Sequence, residues 1–238
     1  MDPKERRAAR HQPPKPGASP KPRRRTVPIT VEQVVDAALG IIAAEGYEAL
    51  SMRRVADALN TGPASLYAHV VNKTDLDELL IARLSAKIVV PKPEAAKWRA
   101  QIREVCVQLR DLYLAYPGIS GAAFAVAPTD LDTARLTEGM LAILRNGGVP
   151  AQAAAWGVDS LLLYVAAYCL ETSIVRRRVA EKDAVWVVGR DEMRRRLASL
   201  PAEEFPYTAS HAAQLTAGEG HDRFDFTLEV MLDGLARR

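Results

Sequence analysis

The chain has 238 residues, enough for one large or two small domains with a buried core. With 48% hydrophobic residues and a mean hydropathy near zero, its composition is that of a globular protein in water. We find no run of about 18 apolar residues and no apolar segment behind the Arg-rich start, so we expect neither a membrane span nor a secretory signal. Cys106 and Cys169 lie far apart and outside metal-ligand spacing, which predicts buried thiols in a reducing cytoplasm and no metal or cofactor.

The net charge of +3 is unevenly distributed along the chain. Residues 1–25 hold nine Lys or Arg against Asp2 and Glu5, a net +7, which leaves −4 for the rest. This segment is rich in Pro and lacks apolar periodicity, which predicts a disordered basic tail. Such a tail either is merely solvated or lies on DNA phosphates or in a minor groove.

Three short helices are predicted in residues 26–73. Thr30 and Gln33 form a capping box at the start of the first helix, which Gly46 ends. Ser51 caps the second helix, and Pro63 suits the first position of the third. Between them, Asn60-Thr61-Gly62 is a turn in which Asn and Gly tolerate left-handed backbone. The apolar positions predicted to face inward are Val31, Val34, Val35, Ala38, Ile42, Met52, Val55, Ala56, Leu59, Leu66 and Val70.

Helical periodicity continues through residues 74–238, without strand alternation or internal repeats. A fourth helix is predicted to begin at Thr74 with Asp77 as its capping partner and to run to about Val90, where Pro91 and Pro93 interrupt the chain. Further helices are predicted over Glu94–Tyr116, Gly118–Ala127, Asp130–Arg145, Ala151–Arg178, Asp191–Leu200 and Glu219–Arg237. The fold class is therefore all-α: a three-helix N-terminal domain joined by a fourth helix to a larger helical domain.

A short helix, a three-residue turn and a second helix form the layout of a DNA-reading helix-turn-helix. Three motifs carry a more specific resemblance: V-x-x-A-L-x-I-I-A-x-x-G from Val35, L-S-x-R-x-V-A-x-A-L from Leu50, and S-L-Y-x-H-V-x-N-K-x-x-L from Ser65. Residues 29–80 thereby resemble the DNA-binding domain of the tetracycline repressor (TetR) family. Arg223-Phe224-Asp225-Phe226 and Leu232-Asp233-Gly234-Leu235 resemble the last helix of members with the tetracycline repressor's own type of C-terminal domain.

The resemblance implies double-stranded DNA as partner. Arg53 corresponds to a base-contacting arginine, whose guanidinium can hold guanine O6 and N7. Ser65, Tyr67, His69 and Lys73 correspond to phosphate-contacting positions, although Tyr67 could instead pack and His69 could instead brace the helix. Pro63, Ala64 and Ala68 complete the outward face. Two of the three are small alanines, so thymine-methyl contacts and DNA shape must supply part of the specificity.

Electrostatics in this DNA-reading segment are weak. Between Ile29 and Lys73 only Arg53, Arg54 and Lys73 are basic, against five acids. The basic tail is therefore expected to supply much of the attraction to phosphates.

The C-terminal helices resemble the ligand-binding and dimerising part of the family. Phe224, Leu228, Met231 and Leu235 recur at helical spacing, which indicates a homodimer four-helix bundle with the long Ala151–Arg178 helix, or else a purely internal stripe. The positions of the tetracycline-contacting His, Asn and Phe are Val89, Val105 and Leu109 here, which argues against a His-held magnesium–drug complex. An apolar effector cavity is expected instead, with Tyr113 or Asp159 as a polar anchor, although each lining residue could equally be ordinary core. The expected lining is Val105, Leu109, Tyr113, Met140, Val158, Asp159 and Leu162.

These patterns predict a cytoplasmic regulator, most simply a repressor, that binds a palindromic operator as a homodimer and is released by a small, mainly hydrophobic effector. The alternatives are a DNA-binding protein without an effector, either architectural or protein-partnered, and an activator. An enzyme is not expected, because the chain lacks G-x-S-x-G, H-E-x-x-H, P-loop and G-x-G-x-x-G motifs.

Overall fold

The computed structural model describes residues 29–124, 130–180 and 188–237. The expected basic tail, residues 1–25, lies outside the described residues. The described part contains helices and turns with no strand, which agrees with the all-α prediction. Its α-helices are α1 Val31–Glu45, α2 Met52–Ala58, α3 Pro63–Leu66, α4 Lys73–Ser85, α5 Trp98–Ala115, α6 Ser120–Ala123, α7 Leu131–Asn146, α8 Ala151–Ala180, α9 Arg190–Ala198, α10 Pro206–Ser210, α11 Ala212–Leu215 and α12 Asp222–Ala236; 3₁₀ turns occupy Tyr47–Ala49 and Ala95–Lys97.

The first two helix starts form as their sequences predict. Thr30 Oγ1 accepts from the Gln33 amide at 3.2 Å while the Gln33 side chain accepts from the Thr30 amide at 3.0 Å, so the capping box is present. The Ser51 hydroxyl accepts from the Arg54 amide at 3.2 Å and starts α2.

Helix α4 differs from its prediction at both ends. Its N-cap is Asn72, whose side chain accepts from the Asp75 amide at 2.9 Å, and not Thr74. The cap shifts because Asn72 already has extended backbone and an acceptor that reaches N3, which leaves Thr74 inside the first turn. The helix ends at Ser85 instead of Val90, and the amide and carbonyl of Val89 are bound by the Gln108 side chain.

Helix α4 packs against α1 on one side and against α6 and α7 on the other, so it joins the two parts of the chain. Helices α5, α7 and α8 pack against one another, and α12 packs on α8. Both cysteines lie in this core as free thiols, and burial raises the pKa of each to about 12.

Opposite charges connect α5 to α12. Arg99 pairs with Glu229 at 3.5 Å and with Asp233, and Arg103 pairs with Glu229. One turn of helix separates successive partners, so the two helices run in opposite directions along a ladder of exposed pairs. Arg110, buried near the end of the ladder, binds Asp111 at 2.7 Å and lies 4.9 Å from the ring centre of Phe224.

Helices α9, α10 and α11 pack mainly on one another. The sequence predicts one helix in this region, over Asp191–Leu200. The structure also contains α10 and α11, which are too short to show a helical period. Ala212 is its one buried residue among those described, whereas Tyr207 and Leu215 are exposed.

Candidate DNA interface and effector cavity

Helices α2 and α3 meet across a tight turn. Asn60 has a φ of 50°, the one non-glycine positive φ among the described residues, and the Thr61 amide donates to the Ala56 carbonyl at 3.0 Å. Gly62 has a φ of −78°, so of the two turn residues that tolerate left-handed backbone only Asn60 adopts it. Pro63 follows at the first position of α3, where a missing amide hydrogen has no cost.

The outward side of α3 and the turn after it has few polar groups. Leu66 and Val70 are completely buried and hold this segment on the domain core. On the other side, Pro63, Ala64, Ser65 and Ala68 are exposed, Tyr67 is 47% exposed and His69 is half-buried. The side of this segment opposite Leu66 and Val70 therefore presents the accessible residues Pro63, Ala64, Ser65, Tyr67, Ala68 and His69. We call it the reading face.

Two neighbouring arginines on α2 have different partners. The Arg53 side chain is 87% exposed, with its nearest acid, Asp57, at 4.0 Å. Arg54 instead binds Glu45 and reaches the Ala49 carbonyl at 3.5 Å. Arg53 is thus available to an incoming base, while Arg54 ties α2 to the end of α1.

Lys73 takes part in a network that the sequence did not reveal. Its Nζ donates to the Tyr47 hydroxyl at 2.5 Å and lies 4.0 Å from the centre of that ring, and the hydroxyl donates to Asp77 Oδ2 at 2.8 Å. Burial raises the pKa of Asp77, outweighing the opposite influence of Tyr47 and Lys73, and burial together with Asp77 raises the pKa of Tyr47. Lys73 therefore has a structural role beside any contact with phosphate.

Five of the residues expected to line an effector cavity belong to the packed core: Val105, Leu109, Tyr113, Met140 and Val158. Leu162 is half-buried against the same core. Asp159 is exposed, so its expected role as a polar anchor inside the cavity is wrong. The neighbouring Val158 occupies the inward position on α8, and a residue one step along a helix points about 100° away.

The expected dimer stripe divides between two faces of α12. Phe224 and Leu228 are fully buried within the subunit together with Leu232, so their assignment to a partner contact is wrong. A side chain with no accessible surface in the isolated subunit has nothing left to present to a second copy. Met231 and Leu235 are partly buried beside an open groove of about 610 Å³ between α8 and α12.

Two family models match consecutive parts of the chain. "Bacterial regulatory proteins, tetR family" matches residues 34–78, and "Tetracyclin repressor-like, C-terminal domain" matches residues 90–238. The chain belongs to the TetR family. It is therefore a DNA-binding transcription regulator and not an enzyme.

Relatives within the TetR family extend over nearly the whole chain. The HTH-type transcriptional repressor DrrR1 of Streptomyces coeruleorubidus is 30% identical over 228 residues, which cover 93% of this chain and 80% of DrrR1. The TetR family protein ActR of Streptomyces coelicolor, solved in complex with (S)-DNPA, is 36% identical with a TM-score of 0.79, over 89% of this chain and 98% of ActR. ActR with actinorhodin gives 37% identity and a TM-score of 0.78, over 88% and 96% of the two chains.

Two features of this TetR family chain escaped sequence reasoning. Tyr47 looks like an ordinary aromatic after Gly46, and only the fold brings it to Lys73 and Asp77. Trp156 is 68% exposed at the α8–α12 groove. The sequence does carry a signal for this exposed apolar surface. Helix α8 has more apolar residues than one face can hold, and Trp156 and Leu163 lie outside its buried stripe.

Helix α8 is also the one described helix long and apolar enough to cross a membrane. The sequence has no unbroken run of about 18 apolar residues, because polar residues such as Asp159 and Glu171 interrupt this helix, and α8 passes only by its length and mean hydropathy. Of its most apolar window, 44% is buried inside the structure. Among the described residues, no three His, Cys, Asp or Glu side chains cluster as metal ligands.

Proposed function

We propose that this TetR family member is a ligand-responsive repressor that binds a palindromic operator as a homodimer in the cytoplasm and is released by a small, mainly hydrophobic effector. The observation that carries the proposal is the reading face beside the exposed Arg53, joined through α4 to a helical domain with a large apolar core. The division into a tail at 1–25, a DNA-binding domain at 26–73 and an effector domain at 74–238 is part of the same proposal. DrrR1, a repressor by name, and the ligand-bound structures of ActR support it.

On DNA, Arg53 holds a guanine edge in the major groove and supplies the main direct readout. Ser65, Tyr67 and His69 bind phosphates and set the register, while Pro63, Ala64 and Ala68 approach thymine methyl groups. Lys73 contacts a phosphate from the edge of this surface. The hydrogen bond from its ammonium to the Tyr47 hydroxyl holds Lys73 in place for this contact.

The dimer forms through the exposed surface of α8 and α12. Trp156 lines the groove together with Gly157, Met231 and Leu235, and a second copy related by a two-fold axis places its own Trp156 against the same surface. Two reading faces then meet half-sites about 34 Å, or a multiple, apart, which requires a palindrome.

The effector acts by shifting a population of dimers. An apolar molecule inserted among α5, α7 and α8 favours subunits whose reading faces no longer match both half-sites. The effector can change the affinity for the operator only as far as it binds the DNA-competent dimer and the DNA-incompetent dimer with different affinities. The packed apolar residues on these helices support a hydrophobic ligand in preference to a charged one. Calorimetric titration in which only strongly polar, charged ligands bind would contradict this.

Selection of bound fragments from a random DNA pool, followed by footprinting, tests the proposal. A single short palindrome with protection of two half-sites is the expected result. Diffuse protection that disappears with moderate salt would indicate an architectural protein without a specific operator. Transcription in vitro from the selected site, where we expect repression, separates the repressor from an activator.

A further inference from the structure

Tyr47 is bonded to both parts of the chain. It is the first residue of the 3₁₀ turn that follows α1, and its amide donates to the carbonyl of Pro117, in the turn after α5, at 2.8 Å. At the other end of the residue, the hydroxyl donates to Asp77 Oδ2 at 2.8 Å and accepts from the Lys73 ammonium at 2.5 Å. Tyr47 thus connects the end of α5 to the first turn of α4, where the proposed phosphate contact lies.

Gly118 allows the turn after α5 to lie directly against Tyr47. Its φ of +85° lies in the left-handed region, and a Cβ added there would lie 3.2 Å from the Tyr47 Cβ. A side chain at this position would therefore strain the backbone and also push on Tyr47. The position of this turn consequently determines where the Tyr47 side chain lies.

The Lys73 ammonium remains accessible while Tyr47 holds it. The Lys73 side chain is 42% exposed, and an ammonium has three donors, of which the Tyr47 hydroxyl takes one. The centre of the Tyr47 ring lies 4.0 Å from Nζ, so the face of the ring also attracts the cation. The ammonium can therefore bind a phosphate without leaving Tyr47.

The Tyr47 hydroxyl also separates the ammonium from a buried acid. Asp77 Oδ2 lies 3.6 Å from the Lys73 Nζ, beyond hydrogen-bond distance, whereas the hydroxyl is hydrogen-bonded to both atoms. The other carboxylate oxygen, Oδ1, is buried without a hydrogen-bond partner among the described residues. Loss of a donor to a buried carboxylate is costly, so without the hydroxyl Asp77 would take the ammonium as its partner. Lys73 would then turn inward, away from DNA.

We propose that Tyr47 and Gly118 are positioning residues for the phosphate contact of Lys73: the turn after α5 holds Tyr47, and Tyr47 holds the ammonium toward DNA. The inference rests on the proposed function and deepens it by naming how the C-terminal helices control one DNA contact. Helix α5 carries three of the residues proposed to surround the effector. A shift of its end therefore moves Tyr47 and withdraws Lys73 from the phosphate, while the direct readout by Arg53 stays the same.

The test measures affinity for the selected operator at several salt concentrations. Lys73→Gln should weaken binding on every sequence and reduce the slope of log affinity against log salt by about 1 for each half-site. Tyr47→Phe leaves all formal charges in place, yet it should weaken binding roughly threefold to tenfold and reduce the slope in the same way, because the ammonium turns to Asp77. Added to Lys73→Gln, it should have little further effect, since both changes remove the same contact.

Tyr116→Phe is the matched control for the loss of a hydroxyl. The Tyr116 hydroxyl accepts from Lys87 Nζ at 3.3 Å, beyond the opposite end of α4. The variant therefore removes the same kind of hydrogen bond away from the proposed DNA contact. Affinity and salt slope should both stay at the wild-type values.

Two glycines test the link between the turn and Tyr47. Gly148 has a φ of +87°, and a Cβ added there would meet nothing within 4 Å in the described part of the chain, so Gly148→Ala carries similar backbone strain without a contact. Gly118→Ala should lower affinity and salt slope as Tyr47→Phe does, whereas Gly148→Ala should change neither. Gly118→Asn adds the same Cβ but tolerates left-handed backbone better, so it replaces alanine if melting curves show that Gly118→Ala is unfolded.

Wild-type affinity and slope in either Tyr47→Phe or the Gly118 variant would overturn the inference. A lower affinity with an unchanged slope would overturn it as well, because general destabilisation gives that result and the loss of a phosphate contact does not. A wild-type protein that binds no palindromic operator would instead contradict the proposed function itself.

Discussion

At the scale of single residues, neighbouring side chains of the same type have different environments. Arg53 and Arg54 differ by one position on α2, yet one is exposed and the other is bound to Glu45. The motif alone predicts Arg53 as a base contact. Its exposure is compatible with that prediction, because Arg53 would not have to break a close ion pair before it met a base.

Arg53→Ala should weaken binding to the selected operator by about 1–3 kcal/mol and relax the base preference at one position of each half-site. The measurement is a titration against the operator and against versions with that base pair changed. Arg53→Lys is the matched variant, since it keeps the charge but loses the two-pronged geometry. An equal loss on every DNA sequence would show that Arg53 contacts only phosphate.

Asp77 should make stability depend on pH. Because burial raises its folded-state pKa above the unfolded value, the folded protein holds the proton more tightly, and this contribution to stability is lost as the pH rises through the folded pKa. The free energy of unfolding of the wild-type protein, relative to Asp77→Asn, should therefore fall as the pH rises from about 4, the usual pKa of an aspartate, through the raised folded-state pKa. Urea unfolding across this range measures it, with the surface change Asp57→Asn as baseline. A relative stability that rises with pH would show that Lys73 and Tyr47 outweigh the burial.

At the scale of elements, the turn between α2 and α3 sets the angle of the reading face. Its left-handed residue is Asn60, with a φ of 50°. Asn accepts this backbone more readily than other residues with a side chain. The turn can therefore form without glycine at this position, and α3 keeps its position on the core.

Asn60→Ala should destabilise the protein by roughly 1 kcal/mol, because alanine has no local hydrogen bond to offset the left-handed strain. Asn60→Gly should match or exceed the wild-type stability, since glycine adopts this backbone without steric cost. Urea midpoints of the three proteins provide the comparison. If alanine and glycine gave equal stability, the turn would not be under this strain.

At the scale of the whole molecule, the exposed apolar side of α8 and α12 is the surface that a second copy would cover. Trp156→Glu should convert the proposed dimer to monomers and lower operator affinity, because it would place a charge at the centre of the proposed apolar contact. Sedimentation equilibrium measures the mass. Tyr207→Glu, which changes an aromatic residue that is 80% exposed on α10, is the control and should leave the mass unchanged. A dimer that persists in Trp156→Glu would place the interface elsewhere.

We expect the basic tail, residues 1–25, to contribute to the affinity for DNA together with the helix-turn-helix. Deletion of residues 1–25 should weaken operator binding and reduce the slope of log affinity against log salt, because fewer counterions are released from the DNA. Titrations at several salt concentrations measure the slope for both proteins. An unchanged slope would indicate that the tail is a solvated segment without phosphate contacts.

The sequence by itself determined the all-α class, the capping box at Thr30, the cap at Ser51, the tight turn and the family. Each depends on spacing and on local hydrogen bonds, which act over a few residues and are legible in the chain. Only the tertiary structure decided which face of α12 is buried, why Lys73 binds Tyr47, and where α4 ends. Phe224 and Phe226 are both aromatic and stand two positions apart, yet one is fully buried and the other is 70% exposed. That difference depends on what packs against the helix, and a pattern of apolar residues cannot distinguish a surface that meets its own core from one that meets a partner.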